Sequence, residues 1–119
     1  MHADNDERIV GDEATTAVAV EIFSLLADAT RLNILIALQD GELPVGVIAD
    51  QVGKSGAAVS QHLAKLRMSR VVSTRHEGVR VFYRLSNEHA IDLIRLAFFQ
   101  AEHALDSPVT HIDRDPNRA

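Results

Sequence analysis

The chain has 119 residues, 46% of them hydrophobic, which suits one domain with frayed ends and leaves apolar surface that pairing with a second copy would cover. It contains no cysteine, which excludes disulfides, thiolate metal sites and thiol redox sensing. The net charge is −5, yet residues 54–84 hold Lys54, Lys65, Arg67, Arg70, Arg75, Arg80 and Arg84 against the single acid Glu77, so this stretch carries +6 and the remainder −11. A cationic face on an otherwise acidic chain is what a nucleic-acid reader needs, because only one face meets the polyanion.

Residues 1–13 are polar and acidic and read as a mobile arm, without the apolar centre of a secretory signal. No apolar run approaches the length of a membrane span. Helical periodicity starts at Thr15, where Ala17, Val18, Val20, Ile22, Phe23, Leu25 and Leu26 cover more than one face and predict a helix buried on two sides. Asp28 or Thr30 caps a second helix carrying Leu32, Ile34, Leu35, Ile36 and Leu38, which Asp40-Gly41 closes. Pro44 suits the first turn of a short third helix running to about Gln51, and Gly53 turns the chain tightly.

Ser55 caps a fourth helix, Gly56 to about Ser69, with Val59, Leu63, Leu66 and Met68 toward the core and Ser60, Gln61, His62 and Lys65 outward. The alternating runs Val71–Arg75 and Val79–Leu85, joined by His76-Glu77-Gly78, predict a β-hairpin in which Gly78 supplies a positive φ. Ser86 caps a long final helix, Asn87 to about Leu105, and Pro108 lies in a loose tail spanning 107–119. The expected fold is mainly α with a small β-hairpin, in the order α-α-α-α-β-β-α, over residues 14–106.

Two short helices joined through a glycine turn, the second with a polar outer face, form a helix-turn-helix, and the hairpin is its wing. Ser60 and Gln61 offer donor–acceptor pairs for base edges in a major groove. Lys54 and Lys65 suit phosphates, as does the helix N-terminus at Ser55. Arg75, His76 and Arg80 at the hairpin tip reach flanking backbone or minor groove. A solvated polar helix beside an ordinary basic hairpin accounts for any one of these residues, but not for charge, capping and element order together.

The runs LADATRLNIL (Leu26–Leu35), SQHLAKLR (Ser60–Arg67) and VFYRL (Val81–Leu85) resemble the ArsR/SmtB family of bacterial winged-helix repressors, in matching order over roughly residues 17–105. The resemblance implies a cytoplasmic homodimer bound to a palindromic double-stranded operator and, in most members, released by an effector that is commonly a metal ion. It places Ser60, Gln61 and His62 at positions associated with DNA contact. Asp28 and Arg31 also match, and read as a cap and a structural ion pair. Family members sense soft metals through cysteines on the third helix. Val45 and Gly46 offer no ligand there, which excludes thiolate sensing of arsenic, cadmium or lead.

The final helix is the better effector site. His89 and His103 fall within about 40° of one face but about 21 Å apart along the axis, so one chain cannot bring both to one ion. Antiparallel crossing in a dimer would bring His89 of one copy to His103 of the other, in two equivalent sites. Glu102, His111 on the tail and Asp113 are further candidates. Nitrogen and oxygen donors without sulfur suit nickel, cobalt or zinc, and more than four ligands favour nickel or cobalt. The resemblance is to the nickel/cobalt-responsive branch, in which His89, Glu102, His103 and His111 match ligand positions. Asn87 and Gln100 depart from the zinc-sensing pattern, where an aspartate and a histidine are usual, and neutral amides hold divalent ions weakly. Two alternatives stay open. The histidines can be polar caps on an apolar rod, with His103 suited to the helix dipole, and the regulator can answer to another ligand or to a protein co-regulator.

Ile91, Ile94, Phe98, Ala101 and Leu105 form one helical stripe for the domain core, while Leu93, Leu96, Ala97 and Phe99 add surface for a second copy. A metal-dependent hydrolase or storage protein has little support: there is no HExxH, no paired nucleophile and base, and no phosphate-binding glycine loop. The chain is not expected to be an enzyme.

Overall fold

The computed structural model describes residues 8–106. Helix α1 (Glu13–Leu26) starts ahead of Thr15 because Asp12 caps it: the carboxylate accepts from the Thr15 N–H at 2.8 Å and from the Thr15 hydroxyl at 3.0 Å. Helix α2 (Ala29–Ala37) is capped by Asp28, which accepts from the Arg31 N–H at 2.9 Å. The helix tightens into a 3-10 turn over Leu38–Asp40, and Gly41, at φ 144, releases the chain. A two-residue strand β1 (Leu43–Pro44) leads into α3 (Val45–Val52). Gly53 closes α3 in the left-handed region, and α4 (Gly56–Met68) follows, its cap the Ser55 hydroxyl accepting from the Ala58 N–H at 3.1 Å.

The expected hairpin is present as β2 (Val72–Glu77) and β3 (Arg80–Leu85), with Gly78 at φ 61 in the connection. β2 runs two residues past the expected Arg75, so His76 and Glu77 pair with Val81 and Arg80 instead of forming the loop, while both strands start one residue later than the alternating pattern indicated. A third strand was not expected. β1 pairs antiparallel with β3, Leu43 opposite Tyr83 and Pro44 opposite Phe82, giving the order β1-β3-β2. Proline has no N–H for a ladder, so Pro44 fits only because β1 lies on the sheet edge. It therefore precedes α3 as an extended residue instead of forming its first turn. The last helix, α5 (His89–Leu105), begins after Ser86, whose hydroxyl bonds the Ser73 hydroxyl at 2.8 Å instead of capping; the Asn87 side chain accepts from the His89 N–H at 2.9 Å. This is a winged helix-turn-helix, with α3–turn–α4 as the motif and the sheet as the wing.

The core gathers Ile34, Leu35 and Leu38 from α2 and its extension, Ile48 from α3, Val59, Leu63 and Leu66 from α4, Val72 from β2, and Ile91 and Ile94 from α5. Three expectations about burial fail within the single chain: of the α5 stripe expected in the core only Ile91 and Ile94 are buried, and Phe98, Ala101 and Leu105 are exposed. Met68 is 84% exposed, because the third apolar place on the inner face of α4 is already Leu66. In α1 only Leu26 is buried, and Val18, Val20 and Phe23 stand exposed, Phe23 at 61%.

Leu63→Ala should lower the free energy of unfolding by about 2–5 kcal/mol in denaturant melts, since Leu63 is fully buried and a core relaxes only partly around missing atoms. Met68→Ala, by the same measurement, should stay within about 0.5 kcal/mol of the parent.

Candidate nucleic-acid interface and metal-ligating residues

Helix α4 is anchored by a stripe at Val59, Leu63 and Leu66, all fully buried, and this turns the opposite side outward. Ser60, Gln61 and Lys65 lie exposed on that outer side, with Lys54 and Ser55 exposed at the N-terminal end. Gln61 and Lys65 are four residues apart and share one line along the helix. His62 is set differently. It is half-buried, and its Nδ1 lies 3.1 Å from Nη1 of Arg31. Arg31 also donates from Nε to the Leu25 carbonyl at 2.7 Å. The expected Asp28–Arg31 ion pair is absent among the described residues. Asp28 receives the backbone N–H of Arg31, and chiefly through that bond its carboxyl is held below the usual range.

Strand alternation puts Ser73, Arg75 and Glu77 on one face of the wing with their partners Arg84, Phe82 and Arg80. Arg75 does not stand free there. Its Nε lies 3.0 Å from each carboxylate oxygen of Glu42, its Nη2 donates to the same group, and Glu77 approaches at 3.7 Å. The Arg75 guanidinium also lies 4.7 Å from the centre of the Phe82 ring, which carries Arg80 at 4.8 Å as well. Arg80 is exposed and has no carboxylate partner among the described residues. Hydrogen bonding from Arg75, with help from the charges of Arg75 and Arg84, holds the Glu42 carboxyl below its ordinary value, and Glu42 in turn raises Arg75.

On α5, His89, Glu102 and His103 are all exposed. No group of three or more metal-ligating side chains is assembled among the described residues, in keeping with the span of about 21 Å between the two histidines. His111 and Asp113 lie outside the described residues. Asn87 is occupied at the helix start by the His89 N–H. The same helix exposes Leu96, Phe98, Phe99 and Leu105, with Phe99 at 68%, and α1 exposes Val18, Val20 and Phe23.

Residues 28–74, which hold α2 through the start of β2, match the family model for bacterial regulatory proteins of the arsR family. The HTH-type transcriptional regulator KmtR of Mycobacterium tuberculosis is 51% identical over 104 residues, covering 87% of this chain and 79% of that protein. The chain belongs to the arsR family of bacterial regulatory proteins. Solved structures agree with the fold. The AntR antimony-specific transcriptional repressor superposes with a TM-score of 0.74 at 29% identity, covering 86% of this chain and 93% of that one. The homodimeric winged helix-turn-helix DNA-binding domain Mb0332 of Mycobacterium bovis gives 0.71 at 29% identity, covering 82% and 94%.

This arsR-family chain is accordingly a transcriptional regulator with a DNA-binding winged helix-turn-helix domain, and not an enzyme. Its sequence did not reveal three participants. Glu42 carries no local signal, because its partner lies 33 positions away and only the β1–β3 pairing brings them together. Phe82 could have been placed opposite Arg75 once the hairpin register was known. The Arg31–His62 contact carries no local pattern at all.

The Glu42–Arg75 pair gives a pH signature. Glu42 has a lowered folded pKa, so whatever stability it adds is present above its unfolded pKa and is lost as pH falls through the lower folded value. An NMR titration of the Glu42 carboxyl should give a midpoint below the ordinary glutamate value, and Arg75→Gln should move that midpoint upward.

Proposed function

We propose that this regulator is a repressor that binds a palindromic operator as a cytoplasmic homodimer and leaves it when a divalent metal, nickel or cobalt ahead of zinc, occupies the last helices. The observation that carries the DNA reading is the outward face of α4. Ser60, Gln61 and Lys65 are exposed there while the opposite stripe is sealed in the core. Gln61 and Ser60 read base edges. Lys54, Lys65 and the helix start at Ser55 hold phosphates, and Arg80 reaches the flanking duplex from the wing. Arg75 contributes less than its charge implies while Glu42 neutralises it. Exposed Val18 and Phe23 on α1 and Leu96 and Phe99 on α5 support pairing of two copies through these helices, which would set two α4 helices about one DNA turn, ~34 Å, apart.

The metal reading rests on donor chemistry. Exposed His89, Glu102 and His103, with His111, supply nitrogen and oxygen without sulfur. Crossed antiparallel helices would bring His89 of one copy beside His103 of the other, and a metal that prefers the DNA-free arrangement would lower DNA affinity by that preference. The commitment of the Asn87 amide to the His89 N–H favours a second reading, in which the same DNA-binding dimer senses no metal alone and answers to another ligand or a co-regulator.

Fluorescence anisotropy with a palindromic fragment from the gene's own upstream region tests these assignments. Gln61→Ala should cost about 1–3 kcal/mol of binding and relax the base preference at one position of each half-site. Lys65→Ala should weaken all sequences alike and make the salt slope shallower by about 1 for each phosphate that the lysine had neutralised. His103→Ala should keep DNA affinity and abolish release by nickel or cobalt. Binding that no metal alters at any concentration would refute the sensing assignment and leave the second reading.

A further inference from the structure

A cleft of about 470 Å³ opens between α1 and α4, with Glu21 and Ser24 on one wall and Lys65 on the other. Arg31 spans it. This side chain, on the first turn of α2, donates from Nε to the Leu25 carbonyl near the C-terminal end of α1 and from Nη1 to Nδ1 of His62 on α4. Its own backbone N–H is held by Asp28. Among the described residues this is the one polar side-chain contact between α4 and another element. The other side chains that seat α4 are apolar, Val59, Leu63 and Leu66.

The contact is directional. A guanidinium only donates, so His62 Nδ1 must accept, and the ring proton must sit on Nε2. The donors of arginine lie in one rigid plane, so one side chain fixes its two acceptors, the end of α1 and the middle of α4, relative to each other. A hydrogen bond to one ring nitrogen sets the orientation and tautomer of a histidine, and with them what the other nitrogen can do.

We propose that Arg31 is a positioning residue for the reading helix: by holding Leu25 and His62 together it sets the tilt of α4 against the end of α1 and locks His62 in the tautomer whose Nε2–H can donate to DNA. The proposal rests on the DNA-reading role given above. It changes the part assigned to His62, whose DNA contact depends on a residue that need not touch DNA. It also gives α1, with its exposed Val18 and Phe23, a polar tie to the reading helix, so a rearrangement of α1 against a second copy pulls on α4.

The test has a DNA-free arm and a DNA-bound arm. In ¹⁵N spectra of the neutral imidazoles of the full chain, His62 should show the Nε2–H tautomer alone, and Arg31→Lys, which keeps the charge but not the planar fork, should give a mixture. The same variant should melt cooperatively and bind the operator about tenfold more weakly, the effect expected from removing one charge-assisted hydrogen bond. His62→Ala should weaken binding similarly, and the double variant should bind no worse than the weaker single one, whereas Arg31→Lys with Lys65→Ala should show additive effects. A wild-type His62 protonated on Nδ1, an unchanged tautomer in Arg31→Lys, or additive effects in the Arg31→Lys/His62→Ala pair would each overturn the proposal. Failure of the wild type to bind DNA would refute the functional reading instead, with the imidazole spectra still deciding the tie on their own.

Discussion

Burial of Val59, Leu63 and Leu66 is the constraint on which the rest of the molecule depends. These three side chains recur at a spacing that keeps them on one side of α4, and all three lie fully inside the core formed with α2, α3, β2 and α5. Removing them from water is worth roughly 1.5–3 kcal/mol each, far more than any surface contact α4 could make in another orientation. The helix therefore cannot roll. Whatever lies opposite the stripe is presented outward, and in this chain it is Ser60, Gln61 and Lys65. Hydrophobic packing inside the domain thus decides which polar groups α4 turns outward.

Electrostatics refines that picture by separating cations that are spent from those that are free. The stretch 54–84 carries an excess of positive charge, but Arg75 is already bound by Glu42, with Glu77 close by, and it lies on Phe82. Lys54, Lys65 and Arg80 have no carboxylate partner among the described residues. Such groups retain their full attraction for phosphate, whereas a neutralised arginine must first give up its carboxylate. The −11 of the remainder includes Glu42, which lies outside the basic stretch, 33 positions from Arg75, and folds onto it through β1. Charge counted along the chain marks a basic stretch and overstates how much of its charge is available, because Glu42 neutralises Arg75.

Much of this was legible in the sequence because the signals are local. Ser55 and Asp28 cap helices by side-chain chemistry three residues deep, the glycines at 53 and 78 mark turns that need positive φ, and strand alternation exposes the hairpin. The outward residues of α4 follow from periodicity, and the basic stretch from charge counted along the chain. Contacts set by tertiary geometry were hidden. β1 is too short to carry a pattern, and Pro44 argued for a helix start. Ser86 has the chemistry of a cap, but the sheet brings Ser73 beside it and takes its hydroxyl. Met68 continued an apolar rhythm that the core did not need, and the expected Asp28–Arg31 pair gave way to a bridge that only the packing of α1, α2 and α4 creates.

The central claim is that a helix locked by its buried stripe presents its polar side to the major groove, twice, in a symmetric pair. Dimethyl sulfate footprinting of guanine N7, which lies in the major groove, probes this directly on the upstream palindrome. Two protected clusters are expected about one helical turn apart, symmetric about the centre of the palindrome. Binding that leaves every guanine N7 as reactive as in free DNA would contradict that claim.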